Sequence, residues 1–223
     1  LPISYVWQNF EVYMKTKVAV LVSGGGTNLQ ALIDYQMEKG DACPYEIVIV
    51  ISDHKDAYAL ERAAKAGIPT TIRSPFSVMG KEAAQASDRD TKRTAVSNAV
   101  LKDCKAWGAD VIVQAGWLTV LAGDILNIYE GKIINLHPAL LPKFGGVGMW
   151  GHHVHEAVLA AGEKESGCTI HLVSGECDGG KILIQKKVPV LPGDDPDSLY
   201  ARIAPQEHEA IVEGLLSLCH QPQ

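Results

Sequence analysis

Five consecutive apolar residues, Val18-Ala-Val-Leu-Val22, run straight into Ser23-Gly-Gly-Gly26 and then into a segment with helical spacing. A short apolar run rich in valine reads as a strand buried on both faces, the setting that a parallel sheet covered by helices provides. The same alternation recurs along the chain. Ile47 to Ile51 is a second strand, followed by a helix from about Ala57 to Ala66 that Gly67 ends. Thr70-Thr-Ile72 is a weak third strand, and Lys81 to Trp107 reads as one long polar-faced helix stopped by Gly108. Val111-Ile-Val113, Lys132-Ile-Ile-Asn135, Thr169 to Val173 and Ile182 to Val190 supply further strands. Val154 to Ala161 and Asp197 to Cys219 are helical. The expected fold class is α/β, a single doubly wound and mostly parallel sheet with helices on both faces.

No linker-like stretch interrupts residues 14–223, which are read as one domain. Residues 1–13 precede Met14-Lys-Thr-Lys17 and read as an upstream extension or leader; Trp7 leaves an ordered surface arm as the alternative. The 223 residues carry 20 Lys and Arg against 26 Asp and Glu, a net charge of −6, without the basic stripe that a nucleic-acid surface requires. No apolar run reaches the roughly 18 residues of a membrane helix. The five cysteines are spread out, with no C-x-x-C pair, as expected of free thiols in a reducing compartment, hence the cytoplasm.

Three places carry chemistry. In Val22-Ser-Gly-Gly-Gly-Thr-Asn28 the glycines permit a tight turn and close approach to a ligand, and the amides opening the next helix attract an anion such as phosphate. Leu29 stands where a dinucleotide fingerprint needs its third glycine, and no Gly-Lys-Ser/Thr follows. A glycine-rich turn capped by Thr27-Asn28 explains the same residues without a ligand. In Ile133-Ile-Asn-Leu-His-Pro138 the two-residue period puts Asn135 and His137 on one face, and Pro138 stops the ladder at the carboxyl end, where open α/β sheets bind ligands. An amide beside an imidazole suits oxyanion stabilisation and proton handling; a hydrogen-bonded structural pair is the alternative. Asp178, in Glu176-Cys-Asp-Gly-Gly180, is first a turn residue, yet a carboxylate there could orient a histidine. His152, His153 and His155 lack metal-ligand spacing, so no metal is expected.

Taken together, Ser23 to Asn28, Ala115-Gly-Trp-Leu118, Ile134-Asn-Leu-His-Pro-Ala-Leu-Leu-Pro142 and Asp178-Gly-Gly180 resemble the phosphoribosylglycinamide formyltransferases of the folate-dependent formyltransferase superfamily. The resemblance runs from about Lys17 to the closing helix. It implies a Rossmann-like formyltransferase domain that moves the formyl group of 10-formyltetrahydrofolate, as co-substrate, to the amine of glycinamide ribonucleotide in purine biosynthesis. It also implies roles at matching positions. Gly25, Gly26, Thr27 and Asn28 would hold the ribonucleotide phosphate, with Glu207 as a further substrate contact. Leu118, Thr119, Val120 and Leu121 would line the folate slot, with Arg93 and Asn135 at the cofactor. Asn135, His137 and Asp178 match the catalytic trio, stabilising the tetrahedral species formed by direct attack and moving the proton. No partner beyond the small-molecule substrates is implied, and a homodimer is the assembly to consider.

Two departures from the family pattern stand out. Lys143 to His152 forms a longer glycine-rich link than the usual Lys-Tyr-Pro-Gly type, read as a lid or a reshaped entrance, and Ala204 replaces an expected polar substrate contact. Three rival readings remain. A formyltetrahydrofolate hydrolase would use the same trio on water, but usually carries an extra amino-terminal domain for which thirteen residues leave no room. A methionyl-tRNA formyltransferase would need an RNA-binding domain and a basic surface. A silent ligand-binding module would have no need of the trio.

Overall fold

The computed structural model describes residues 14–219; the upstream extension read at residues 1–13 lies outside the described residues. The elements run β1 (Thr16–Val22), α1 (Thr27–Lys39), β2 (Tyr45–Ser52), α2 (Tyr58–Lys65), β3 (Thr70–Ile72), α3 (Pro75–Met79), α4 (Lys81–Ala86) and α5 (Arg89–Ala106). They continue with β4 (Val111–Gln114), α6 (Asp124–Ile128), β5 (Ile133–His137), α7 (His152–Ala160), β6 (Glu165–Leu172), β7 (Ile182–Pro189) and α8 (Pro196–Cys219). The strands form one seven-stranded sheet in the order β3-β2-β1-β4-β5-β6-β7. β3 through β5 are parallel; β6 returns antiparallel to β5, and β7 antiparallel to β6.

Strand alternation divides the core in two. Val18, Val20 and Val22 of β1 join Val111 and Val113 of β4 and Ile134 and Leu136 of β5 in a cluster closed by α1, α2, α7 and α8. Ala19, Leu21, Ile112 and Ile133 face the other way, onto Val96, Val100 and Cys104 of α5 and Ile125 of α6. Val48 interrupts this period in β2, because Val18 pairs with Ile47 and Ala19 with Ile49; the bulge returns Val50 to the face of Ile47. Being covered on both sides is what makes these strands apolar throughout.

The long helix read over Lys81 to Trp107 is in fact two. α4 stops at Ala86, Ser87 is extended, and the Asp88 carboxylate accepts from the Thr91 N–H at 2.7 Å to start α5 anew. Ser87-Asp88 is a cap signal inside a polar stretch, and a side chain that satisfies an orphan amide outweighs helical continuity there. The short α3 and α6, neither expected from periodicity, are each five residues long. A reciprocal bond pair between Ser74 and Ser77 opens α3.

Where β6 crosses β7, Gly167 has φ +155°, and a Cβ there would run into the Lys186 carbonyl oxygen. Gly167→Ala should therefore push the two strands apart and lower the urea midpoint by an amount equivalent to about 2 kcal/mol or more. An unchanged midpoint would show that the strand pair tolerates a side chain there.

Candidate active site

The glycine loop leaves β1 and enters α1 through Gly26, the N-cap residue, at φ 72° and with no side-chain cap bond. The capping role expected of Thr27-Asn28 is thus not what these residues do: Thr27 is already helical, and the buried Asn28 amide donates to Glu207 Oε2 of α8 at 3.1 Å. The first-turn N–H groups of α1 consequently lack a protein side-chain acceptor, as an anion site requires. The loop is braced from α2, where Ala59 N donates to Gly24 O (3.1 Å) and Arg62 Nε to Gly25 O (2.8 Å). A Cβ on Gly26 would lie 2.6 Å from the Ala59 Cβ, whereas Gly25 has open space around it.

Asn135 and His137 leave the same face of β5, as the two-residue period requires, since Ile134 and Leu136 enter the core on the other side. Tertiary structure adds what spacing could not. The connection between β6 and β7 brings Asp178 to His137, Nδ1 to Oδ2 3.6 Å, and antiparallel pairing sets His171 opposite Asn135. His171 Nε2 lies 3.1 Å from Asn135 Nδ2 and 3.4 Å from Asp178 Oδ1. His171 joins the site although sequence reasoning passed it over; its signal was a histidine between Ile170 and Leu172 near the end of the return strand. The second glycine of Asp-Gly-Gly is there for packing, since a Cβ on Gly180 would collide with the Leu172 carbonyl.

Carbonyl oxygens assign the protons. His171 Nδ1 faces Leu172 O at 3.0 Å and must donate, so in its neutral form Nε2 accepts from the Asn135 amide. His137 Nε2 donates to Phe144 O at 2.7 Å, which leaves Nδ1 toward Asp178 as the atom that would take up a proton. Burial lowers the pKa of His137 from its ordinary value and outweighs the opposing pull of Asp178 and the Phe144 carbonyl. Burial alone would raise Asp178, but the facing histidines His171 and His137 and the Gly146 N–H (2.9 Å) together hold it below the usual carboxylate range. The resting pair is therefore a neutral imidazole beside a carboxylate, with imidazolium stabilised by contact once a proton arrives.

The glycine-rich link lies over this group. Phe144 and Asp178 both have left-handed backbones, at φ 57° and φ 55°, a cost of order 1–3 kcal/mol each that their hydrogen bonds offset. A cavity of about 930 Å³ opens elsewhere, at the carboxyl ends of β1 to β3, lined in part by Gly24, Gly25, His54, Lys55 and Phe76.

The other expected residues divide. Leu118 is half exposed, Thr119 and Val120 are partly so, and Arg93 Nε donates to Val120 O at 3.3 Å. Leu121 instead packs into the core with Val96 and Ile125, so its side chain is not free to line a slot. Thr119 donates to the buried carboxylate of Asp53 at 2.7 Å, a residue at the end of β2 that sequence reasoning missed. Glu207 is 3% exposed; burial raises its pKa to about 6, against the lowering bond from Asn28. Among the described residues no group of three or more His, Cys, Asp or Glu could hold a metal, and no helix is long and apolar enough to cross a membrane.

Against known proteins, the model of the family described as formyl transferase matches residues 16–215. The phosphoribosylglycinamide formyltransferase of Escherichia coli is 37% identical over 86% of this chain and 81% of its own length. The trifunctional purine biosynthetic protein adenosine-3 of Drosophila melanogaster is 38% identical over 96% of this chain, which spans only 15% of that protein. The crystal structure of glycinamide ribonucleotide transformylase 1 from Symbiobacterium toebii superposes with a TM-score of 0.79 at 34% identity, covering 92% of this chain and 88% of that one.

The buried histidines give the molecule a defined acid response. Burial first, with the neighbouring imidazoles of His152 and His137 adding to it, lowers His155 of α7 from 6.5 to about 4. Between those values the unfolded chain binds the proton and the folded one does not, so stability falls as pH falls through that window. Glu207 acts oppositely: its folded pKa of about 6 stands above the ordinary 4.5 of a glutamate, so its protonation favours the folded state as pH falls. Comparing wild type with His155→Gln isolates the histidine. From pH 7 to pH 5 the wild type should lose about 2 kcal/mol more stability than the variant. Parallel pH profiles of the two would remove His155 from this account.

Proposed function

The chain belongs to the formyl transferase family, and from that premise we propose that it transfers the formyl group of 10-formyltetrahydrofolate to the amine of 5′-phosphoribosylglycinamide in purine biosynthesis. The observation that carries this reading is the meeting of His137 and Asp178 beside Asn135 at the carboxyl end of β5. The loop that follows β4, the next strand, carries partly exposed Leu118 and Val120 on either side of Thr119, which suits a flat heterocycle; an exposed leucine beside a polar site gains by being covered. The uncapped start of α1 suits a phosphate. Leu121 contributes through its backbone at most, and Arg93 braces the loop after β4.

On this reading the folate supplies an activated formyl carbon, and the protein mainly holds the attacking amine beside it. Substrate must first displace the Phe144 carbonyl from His137 Nε2, freeing an N–H to donate to the formyl oxygen as it gains negative charge. Asn135 has one amide N–H on His171 and a second free for the same oxygen. Asp178 favours the imidazolium form of His137 and so helps carry the amine proton toward the departing nitrogen. A neutral resting His137 is compatible with this, because its charge is needed only as the oxyanion forms.

Residues 14–223 act as one formyltransferase domain in this reading, supported by a single sheet that takes in every strand of the described chain. Five free cysteines support a reducing compartment, the cytoplasm, and a homodimer is the assembly to test by sedimentation. A hydrolase would use the same trio with water as acceptor. Absorbance turnover of 10-formyltetrahydrofolate should appear only when the ribonucleotide is added; equal turnover without it would replace transfer by hydrolysis. His137→Ala and Asp178→Asn should each lower kcat by roughly 10²–10⁴-fold with ribonucleotide Kd changed by less than about threefold. Near-normal kcat would remove that residue from the chemistry. Gly26, wedged against Ala59, is a poor probe of the phosphate contact, but Gly25→Val should weaken ribonucleotide binding without lowering Tm.

A further inference from the structure

Ala204 stands where the family resemblance implies a polar contact to the substrate, and its methyl group cannot make one. It shares a face of α8 with Glu207, three residues on, and Tyr200, four residues before. Glu207 is tied to Asn28 at the start of α1, so this face of α8 is turned to the glycine loop. Tyr200 lies one turn nearer the helix start. Its hydroxyl comes within interaction range of the Thr27 side chain and of Glu207. Its ring rests against His155 of α7, centroids 5.7 Å apart and tilted by 37°. The residue is 37% exposed, so part of it remains open to solvent. Tyr200 therefore packs on α7 and lies toward the first residue of α1, a helix whose start has no side-chain cap.

We propose that Tyr200 is a ribonucleotide-binding residue, its hydroxyl donating to the phosphate monoester at the first turn of α1 and supplying from one helical turn away the contact that Ala204 lacks. The ring carries the reach: a tyrosine delivers a polar tip at the end of a rigid apolar body, with few rotamers to freeze. Contact with His155 holds that body in place. Burial raises the phenol above its ordinary pKa, so it is a neutral donor throughout the working range. The proposal rests on the transfer reaction above for the identity of the substrate, but the chemistry it names is recognition of a phosphate monoester on a pentose.

The test compares wild type with Tyr200→Phe, which keeps the ring and removes only the hydroxyl. A hydrogen bond to a charged group predicts that KM for the ribonucleotide rises roughly tenfold or more, while kcat stays within about twofold and KM for the formyl folate is unchanged. Binding of the dephosphorylated riboside should be equal in the two proteins. Adding Ala204→Lys to Tyr200→Phe should recover part of the lost affinity by restoring a polar partner on the same face. Unchanged ribonucleotide KM would overturn the proposal. An equal loss toward ribonucleotide and riboside would overturn it too, since the hydroxyl would then not read the phosphate. If wild type fails to use the ribonucleotide at all, it is the transfer reading that falls. Ribose 5-phosphate titrated against the same two proteins then decides Tyr200 separately: weaker binding to Tyr200→Phe upholds its role, equal binding ends it.

Discussion

The carboxylate of Asp178 is taken largely out of water and held by groups from three separate stretches of chain: His137 of β5, His171 of β6 and the Gly146 amide of the glycine-rich link. A buried charge without partners costs several kcal/mol, so those stretches must be in register for the carboxylate to stay ionised there. The pairing of β5 with β6 does most of this, because it sets His171 opposite Asn135 and directs the following connection back over the strand ends. Two close approaches keep the connection there. Gly180 lets it pass against the Leu172 carbonyl, and Gly167 lets β7 lie against β6. Site and sheet edge are thus one structural unit.

The electrostatics of that unit explain its resting state. Dehydration works against charge on His137 more strongly than Asp178 and Phe144 favour it, so the imidazole waits neutral with its Nε2 proton on a backbone carbonyl. The link that provides this carbonyl also provides the Gly146 amide, so the same segment satisfies both members of the pair in the absence of substrate. A substrate oxygen that took the place of Phe144 would find a donor already aligned. Little reorganisation is then left for the reaction itself, which is how preorganised dipoles lower a barrier. On the far side of the glycine loop, Asn28 and Glu207 join α1 to α8 through a buried contact, and α7 packs against α8 beside it.

Much of this was legible residue by residue. The strand at Val18 to Val22, the turn after it, the common face of Asn135 and His137 and the end of the ladder at Pro138 follow from period and local sterics, and the structure has them where the chain implied. The break at Ser87-Asp88 was legible as a cap signal but lost to the polar uniformity of its surroundings. Thr27-Asn28 misled in the opposite way. Its cap chemistry is real in general, yet Asn28 turns to Glu207, 179 residues on in sequence, because a buried carboxyl offers a better partner than a solvated helix end. Leu121 belongs to the core because its strand exit passes beneath α5 and α6, which no local pattern records.

What the sequence determined alone was therefore everything set by neighbours within a turn or a pleat: alternation, faces, caps, stops and the types of residue available for chemistry. The tertiary structure decided which of these meet. His171 on Asn135, Asp178 on His137, Asp53 on Thr119 and Tyr200 against His155 are contacts between segments tens of residues apart or more. Such contacts exist only after strand order and the two antiparallel returns are chosen, and that choice belongs to the burial of the whole sheet between its two layers of helices.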